Sequence, residues 1–323
     1  LTLILLGLVS MVIGTLLPFV AKNETERRIV FNSMGPFWDG NEVWLVTVGG
    51  VTFAAFPVMY ATMFSALYTP LMLILFALIL RGVTFEFRGQ IDGPWWRTIW
   101  DVGMVVGSFV PALLFGVAFA NIFSGIPIDG EGVYQGSLLT LLNPYGLIGG
   151  VLFLFLFLVH GAIWLAVKTE GDVYKRASSL AGSLWPLLLV IAIVFLIMTG
   201  SVTGLYANYV NNPALFLIPA IAVGAMILTR YFVYKHHWWK AWFSSALTIA
   251  GCTLFGVIGL YPTLLPSSID PAFSITIEKA ASTPLTLKIM LTVALIFIPI
   301  VIAYQAWVYH LFRHKVTEKD VVY

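Results

Sequence analysis

Along the chain, apolar runs long enough for a helix to cross a bilayer recur at 1–20, 42–66, 68–85, 101–123, 144–167, 180–204, 214–234, 242–265 and 285–309. Polar and charged residues collect in the short segments between them. A hydrocarbon core about 30 Å thick takes roughly 20 apolar residues of helix, so the pattern predicts nine transmembrane helices. The boundary inside 42–85 is placed at Tyr68–Pro70, because proline fits the first turn of a helix better than its interior.

Basic residues supply an independent check, since they favour the cytoplasmic loops. Lys22, Arg27 and Arg28 follow the first helix; Arg81, Arg88 and Arg97 the third; Lys168, Lys175 and Arg176 the fifth; Arg230, Lys235 and Lys240 the seventh; Arg313, Lys315 and Lys319 the ninth. Only Lys279 and Lys288 fall on the other side, so fifteen of seventeen basic residues share one face of the membrane. The expected orientation is N-terminus outside and C-terminus cytoplasmic. Composition agrees: 60% of residues are hydrophobic and 10% charged, against roughly 25% charged in soluble domains. This is the make-up of an all-α integral membrane protein, with little room for a soluble domain. The lone Cys252 excludes an internal disulfide and multi-thiolate metal sites within the chain.

"AKNETERR" after the first helix and "VKTEGDVYKRA" after the fifth raise the question of an internal repeat. Two parallel blocks of four helices, 1–123 and 144–265, with a ninth helix at 285–309, all within one polytopic domain 1–323, would produce it. A shared need for basic loops explains the same likeness, and both readings stay open.

Carboxylates are scarce, and an unpaired charge at membrane depth costs about 2.5–3.5 kcal/mol even on lenient scales. "FWDGNEVWLVTVGG" places Asp39 and Glu42 three residues apart at the mouth of the second predicted helix. One reading is helix capping, with Asp39 accepting a backbone N–H. The other is proton collection, with Asp39 passing protons inward through water and polar neighbours such as Asn41. Trp38 and Trp44 suit interfacial anchoring, and Gly49 and Gly50 suit close helix packing.

Among the histidines only His160, in "FLVHGAIWL", lies deep in a predicted span. A bis-histidine haem needs two facing ligands, so no haem is expected on this chain, and His160 reads as a packing or hydrogen-bonding residue. Arg81, Glu86 and Arg88 form a charged group at the end of the third helix, either solvated or meeting an anionic lipid or partner subunit. Asp129, Glu131, Asp270 and Glu278 read as solvated loop residues without metal-ligand spacing. No phosphate-binding loop, nucleophile motif or zinc motif is present.

The stretch "KNETERRIVFNSMGPFWDGNEVWLVTVGG" resembles subunit II of cytochrome bd-type quinol oxidases. So do, in order, "RGVTFEFR" (81–88), "WDVGMVVGSFVPALLFGVAFANI" (100–122), "LLNPYGLIGG" (141–150) and "YPTLLPSSIDPAFSITIEKAASTPLTLKIM" (261–290). The resemblance implies a prokaryotic inner-membrane complex that takes electrons from quinol and reduces oxygen to water. It implies haem b and haem d in a partner, subunit I, and none ligated here. It also implies a fold of two four-helix bundles plus a peripheral helix. Asp39 then maps onto a hydrophilic route from the cytoplasm towards subunit I, with Trp38, Asn41 and Glu42 shaping its entrance. The expected partners are subunit I, small accessory single-helix subunits, membrane lipids and quinone; His160 and the glycine-rich faces are candidates for the subunit contact, and nothing points to nucleic acid.

One departure stands out. Before "LLPF" the family carries "GFDxGxG", whereas this chain reads "GLVSMVIG", with Ser10 at the position of the acid, Val12 for a glycine and Gly14 retained. Ser10 with a bound water is the expected substitute on the inner part of the route. The competing class is a secondary transporter, but the predicted spans offer few polar side chains near the midplane for a solute.

Overall fold

The computed structural model describes residues 12–318 and is predominantly helical. Residues 12–20 form the described part of α1. Asn23 then caps α2 (Glu24–Met34) by accepting from the Glu26 N–H, so a helix stands where the charge pattern predicted a loop. The expected second span is two helices, α3 (Trp38–Ala55) and α4 (Pro57–Ala66). The break falls at Phe56 because Pro57 has no N–H to continue the ladder and starts α4 in its first turn. A short turn at Leu67 leads into α5 (Tyr68–Phe87), which starts at the predicted boundary.

α6 (Pro94–Ser124) and α9 (Gly171–Val202) begin seven and nine residues before their apolar runs, extending polar turns out of the bundle. Between them come the single turn α7 (Leu138–Leu141) and α8 (Pro144–Lys168), where Asn143 caps the helix and Pro144 opens it. A short α10 (Tyr206–Asn211) precedes α11 (Leu217–Tyr234) and α12 (Trp238–Leu260). The chain leaves α12 five residues earlier than the apolar run suggested: Tyr261–Pro262 turns it into β1 (Thr263–Leu265), which pairs antiparallel with β2 (Ile275–Thr276). The turn α13 (Ile277–Ala280) and then α14 (Pro284–Leu311), capped by Thr283, complete the chain.

Seven helices among the described residues are long and apolar enough to cross a membrane: α5, α6, α8, α9, α11 with the turn before it, α12 and α14. α3 falls short of that standard because its first turn is polar and its apolar length is cut at Phe56.

α8 is the buried centre and packs against α6, α9 and α12, while α5 lies on α6 and α11 on α12. Glycines set the α6–α8 distance. A Cβ on Gly116 would lie 2.7 Å from the Gly150 Cα and overlap the Gly149 carbonyl, so the backbones meet directly. Gly49 and Gly50 behave otherwise: among the described residues a Cβ at either would meet nothing within 4 Å, so they pack against no described helix. α14 has no buried residue.

The two ends of the bundle differ in character. At one end the segments after α1, α5, α8 and α14 are joined by charge: Arg88 pairs with Glu24 at 2.9 Å, Arg176 with Glu26 at 2.5 Å and Lys315 with Glu170 at 3.6 Å. The α11–α12 turn joins them through Trp238 Nε1, which donates to the Tyr174 hydroxyl at 3.1 Å. At the other end Ile126 bridges to Ser267, and the Ser282 N–H donates to the Ala55 carbonyl at 2.8 Å. A small apolar core of Leu67, Ile126, Ile128, Leu141 and Leu265 lies beneath that cover.

Candidate functional site

Phe37, Trp38 and the first turn of α3 carry most of the sequence candidates, and the fold sends them in different directions. Phe37 occupies the N-cap position with no side-chain cap bond, so Asp39 is the second residue of the helix and not its cap. Its carboxylate is exposed, and no hydrogen bond or ion pair joins it to another described residue. Glu42, one turn on, points into the bundle and forms an ion pair with Arg81 of α5. The Arg81 side chain is 0% exposed and that of Glu42 16%.

Aromatic packing closes over this pair. The Arg81 guanidinium lies 5.5 Å from the centre of the Phe85 ring, and Trp38 stacks on the same ring at 5.0 Å with an interplanar angle of 5°. Gly107 of α6 lets that helix approach the Arg81 backbone, since a Cβ there would lie 2.6 Å from the Ala77 carbonyl. Trp38 therefore belongs to the cover of a buried charge pair and is no simple interfacial anchor. Asn41 is buried on another side, with its amide 3.4 Å from the Tyr309 hydroxyl of α14. Asp39 and Glu42 share a turn, but Asn41 does not continue their line. Ser10 lies outside the described residues.

The charged group expected at the end of α5 is not one cluster. Glu86 is exposed, whereas Arg81 and Arg88 are buried with different partners. The Arg88 guanidinium donates to both oxygens of Glu24 at 2.9 Å and, through Nε, to Asp101 at 2.7 Å. Asp101 also accepts from Arg27 at 2.6 Å, and Arg97 stands 3.8 Å from Glu24. Partial burial favours the neutral form of Glu24, but the Arg88 hydrogen bonds and the charges of Arg88, Arg97 and Arg27 outweigh it and hold the carboxyl below its ordinary range. Neither Arg81 nor Arg88 is thus available to an external anion. Sequence reading passed over Asp101; the signal was there, because it is the sole acid in the 31 residues of α6.

His160 is 0% exposed and packs against Trp242 with ring centres 5.3 Å apart. It lies inside this chain, so it cannot be a surface contact for lipid or a partner. Neither ring nitrogen has a hydrogen-bond partner among the described residues, where its contacts are packing ones. The other four histidines are exposed, so no second histidine faces His160 and the pair a bis-histidine haem requires is not assembled among the described residues. No group of three or more His, Cys, Asp or Glu side chains that could hold a metal occurs there either. In the loops at the opposite end, Asp129 accepts from the Glu131 and Val133 N–H groups at 2.9 Å each and organises a turn.

Lys168, read from sequence as a loop cation, is buried at the end of α8. Its ammonium donates to the carbonyls of Phe312 and, at 2.6 Å, His314, which fixes the chain after α14 against the α8–α9 junction.

The fold and the site define a multi-pass helical membrane protein with charge pairs buried at one end and an exposed acid beside one of them. Comparison with known proteins makes this specific. The family model for cytochrome bd terminal oxidase subunit II matches residues 1–312. A probable cytochrome oxidase subunit 2 of Haemophilus influenzae is 40% identical, with 93% of this chain and 87% of that protein covered. The cytochrome bd-I ubiquinol oxidase subunit 2 of Escherichia coli K12 is 35% identical, covering 97% and 90%. The cytochrome bd ubiquinol oxidase subunit 2 of Bacillus subtilis is also 35% identical, covering 95% and 90%. A chain of the bd oxidase of Geobacillus thermodenitrificans has the same fold, with a TM-score of 0.77 over 96% of this chain and 94% of that one at 15% identity. The chain belongs to the family of cytochrome bd terminal oxidase subunit II.

Proposed function

We propose that this chain is the non-haem subunit of a quinol:oxygen oxidoreductase in a prokaryotic inner membrane. It stabilises the haem-bearing subunit I and admits protons from the cytoplasm. In this reading the chain crosses the membrane nine times as two four-helix bundles and a peripheral helix, with the N-terminus outside. The gathering of the basic segments at one end of the bundle, away from the Ile126–Ser267 and Ala55–Ser282 contacts, supports that topology. Haem b and haem d in subunit I supply the redox chemistry. Quinol is the electron donor, as the names of the Escherichia coli and Bacillus subtilis relatives indicate.

Reducing oxygen to water consumes one proton for each electron, so the oxidase needs a path for protons as well as electrons. Taking those protons from the cytoplasm while quinol releases its own outside makes turnover electrogenic without a pump. The observation that carries the reading is the juxtaposition in the first turn of α3. Asp39 is exposed and has no hydrogen-bond or ion-pair partner among the described residues, and Glu42, one turn deeper, meets the fully buried Arg81. An exposed carboxylate exchanges protons with bulk water, and the Glu42–Arg81 pair draws the polar path into the bundle beneath Trp38. Ser10, outside the described residues, is assigned to the inner part of the route on the sequence resemblance alone.

The test is Asp39→Asn in the assembled complex. Oxygen consumption with excess quinol is expected to fall by up to about 10²-fold, with the haem bands in the visible spectrum retained. Unchanged turnover would remove Asp39 from the route, and loss of the haem bands would assign it to structure.

A further inference from the structure

Where α14 ends beside the start of α12, an open cavity of about 600 Å³ is lined by Trp239, Tyr309, His310, Arg313, His314 and Lys315. We propose that this cavity is a binding site for the phosphate headgroup of an anionic phospholipid in the leaflet that faces the basic end of the bundle. Nothing in the oxidase reading requires it, and it uses none of the residues of the proton entrance.

The walls are fixed rather than loose. The Lys168 ammonium holds the carbonyls of Phe312 and His314, the Val316 N–H donates to the Lys168 carbonyl at 2.7 Å, and Val316 bridges to Thr169. On the opposite wall Tyr309 packs 5.6 Å from Trp164 and 6.3 Å from Trp242, ring centre to ring centre. The positive groups of the rim are therefore carried on a pinned backbone.

Arg313 is also available. No carboxylate of the described residues lines the cavity. Arg313 contacts the His310 ring at 3.4 Å and has no carboxylate partner among the described residues, while Lys315 shares its charge with an exposed Glu170 at 3.6 Å and lies 5.5 Å from the centre of the Tyr174 ring. This separates Arg313 from Arg81, Arg88, Arg27 and Arg176, whose charges are matched by acids of the chain itself.

The surface below selects a lipid over a free anion. α14 buries none of its residues, and Tyr304, Trp307 and Leu311 are exposed along its last turns, as is Phe243 on α12. A basic rim with aromatic walls above exposed apolar helix matches an amphiphile with a negative head and acyl chains. A dissolved phosphate would use only the rim.

The experiment compares the purified, delipidated complex with its Arg313→Gln/Lys315→Gln form by native mass spectrometry, titrating phosphatidylglycerol, phosphatidylethanolamine and inorganic phosphate. The expected result is phosphatidylglycerol retained by the unaltered complex and reduced by roughly tenfold or more in the double variant, with no displacement by millimolar phosphate. Equal retention by both forms, or equal retention of phosphatidylethanolamine, would overturn the site; displacement by phosphate alone would make it a small-anion site and overturn the lipid assignment. Photoactivatable phosphatidylglycerol on the unaltered complex settles the matter if the variant does not assemble: crosslinks within 305–315 support the site, and their absence there refutes it. Oxygen consumption in the same preparations is expected to be unchanged, so the lipid result is independent of the outcome at Asp39.

Discussion

Arg81 has no exposed side-chain surface and sits two turns inside the end of α5, where a guanidinium cannot be deprotonated to escape the cost of burial. It is kept there by Glu42 and by the Phe85 ring under Trp38. Breaking one side of a buried pair leaves the other charge uncompensated, which costs about 3–5 kcal/mol, whereas removing both is much milder. Glu42→Gln is therefore expected to destabilise the complex by about 3–5 kcal/mol, and Arg81→Met/Glu42→Gln by clearly less, both read by denaturant titration. A loss in the double variant equal to the sum of the losses in Glu42→Gln and Arg81→Met alone would mean that the two side chains are not energetically coupled. Sequence alone pointed to both residues but not to their union, because 39 positions separate them and Glu86 was a nearer candidate for Arg81.

At the scale of elements, glycines mark which helices meet through their backbones. Gly116 faces Gly149 and Gly150, so a methyl group there forces α6 and α8 apart, and overpacking of a filled contact costs about 1–3 kcal/mol. Gly116→Ala is expected to lower the thermal stability of the complex by that amount, while Gly49→Ala, whose Cβ meets no atom of the described residues within 4 Å, creates no such clash and is expected to cost this subunit no stability. A fall with Gly49→Ala confined to the assembled oxidase would place that face of α3 against subunit I. Sequence pointed to Gly49 and Gly50 for packing and did not single out Gly116, since glycine in an apolar run looks the same whether its empty side meets a helix or the surroundings.

Across the whole molecule, α2 acts as a tie. Glu24 reaches Arg88 at the end of α5, and Glu26 reaches Arg176 near the start of α9, so one short helix joins the earlier and later parts of the chain. Partial desolvation of both acids is outweighed by their arginines, leaving their carboxyl groups below the ordinary range. A carboxyl depressed in the folded state contributes stability that is fully present above its unfolded value, about 4.3 for Glu, and is lost as pH falls through the folded one. The thermal midpoint is thus expected to be insensitive to these groups above about pH 5 and to fall below about pH 4. Glu24→Gln/Glu26→Gln should lower the midpoint near neutral pH and flatten that acid limb. An acid limb of unchanged steepness would assign it to other carboxylates.

The sequence by itself determined that the chain is a helical membrane protein, which segments are apolar, where Tyr68 and Pro144 start helices, and that the basic segments share one end. Each of these rests on local information, namely the transfer of side chains from water to hydrocarbon and the missing N–H of proline. It also carried the family blocks that made Asp39 a candidate. Only the tertiary structure decided that Arg81 answers to Glu42, that Arg88 is shared by Glu24 and Asp101, that Lys168 turns inward to the carbonyls beyond α14, and that His160 is sealed within the core. Charge is legible in a sequence as a residue type, but its partner is chosen by which helix faces meet. In a low-dielectric interior that choice decides whether the same arginine is an internal tie or a site for something outside.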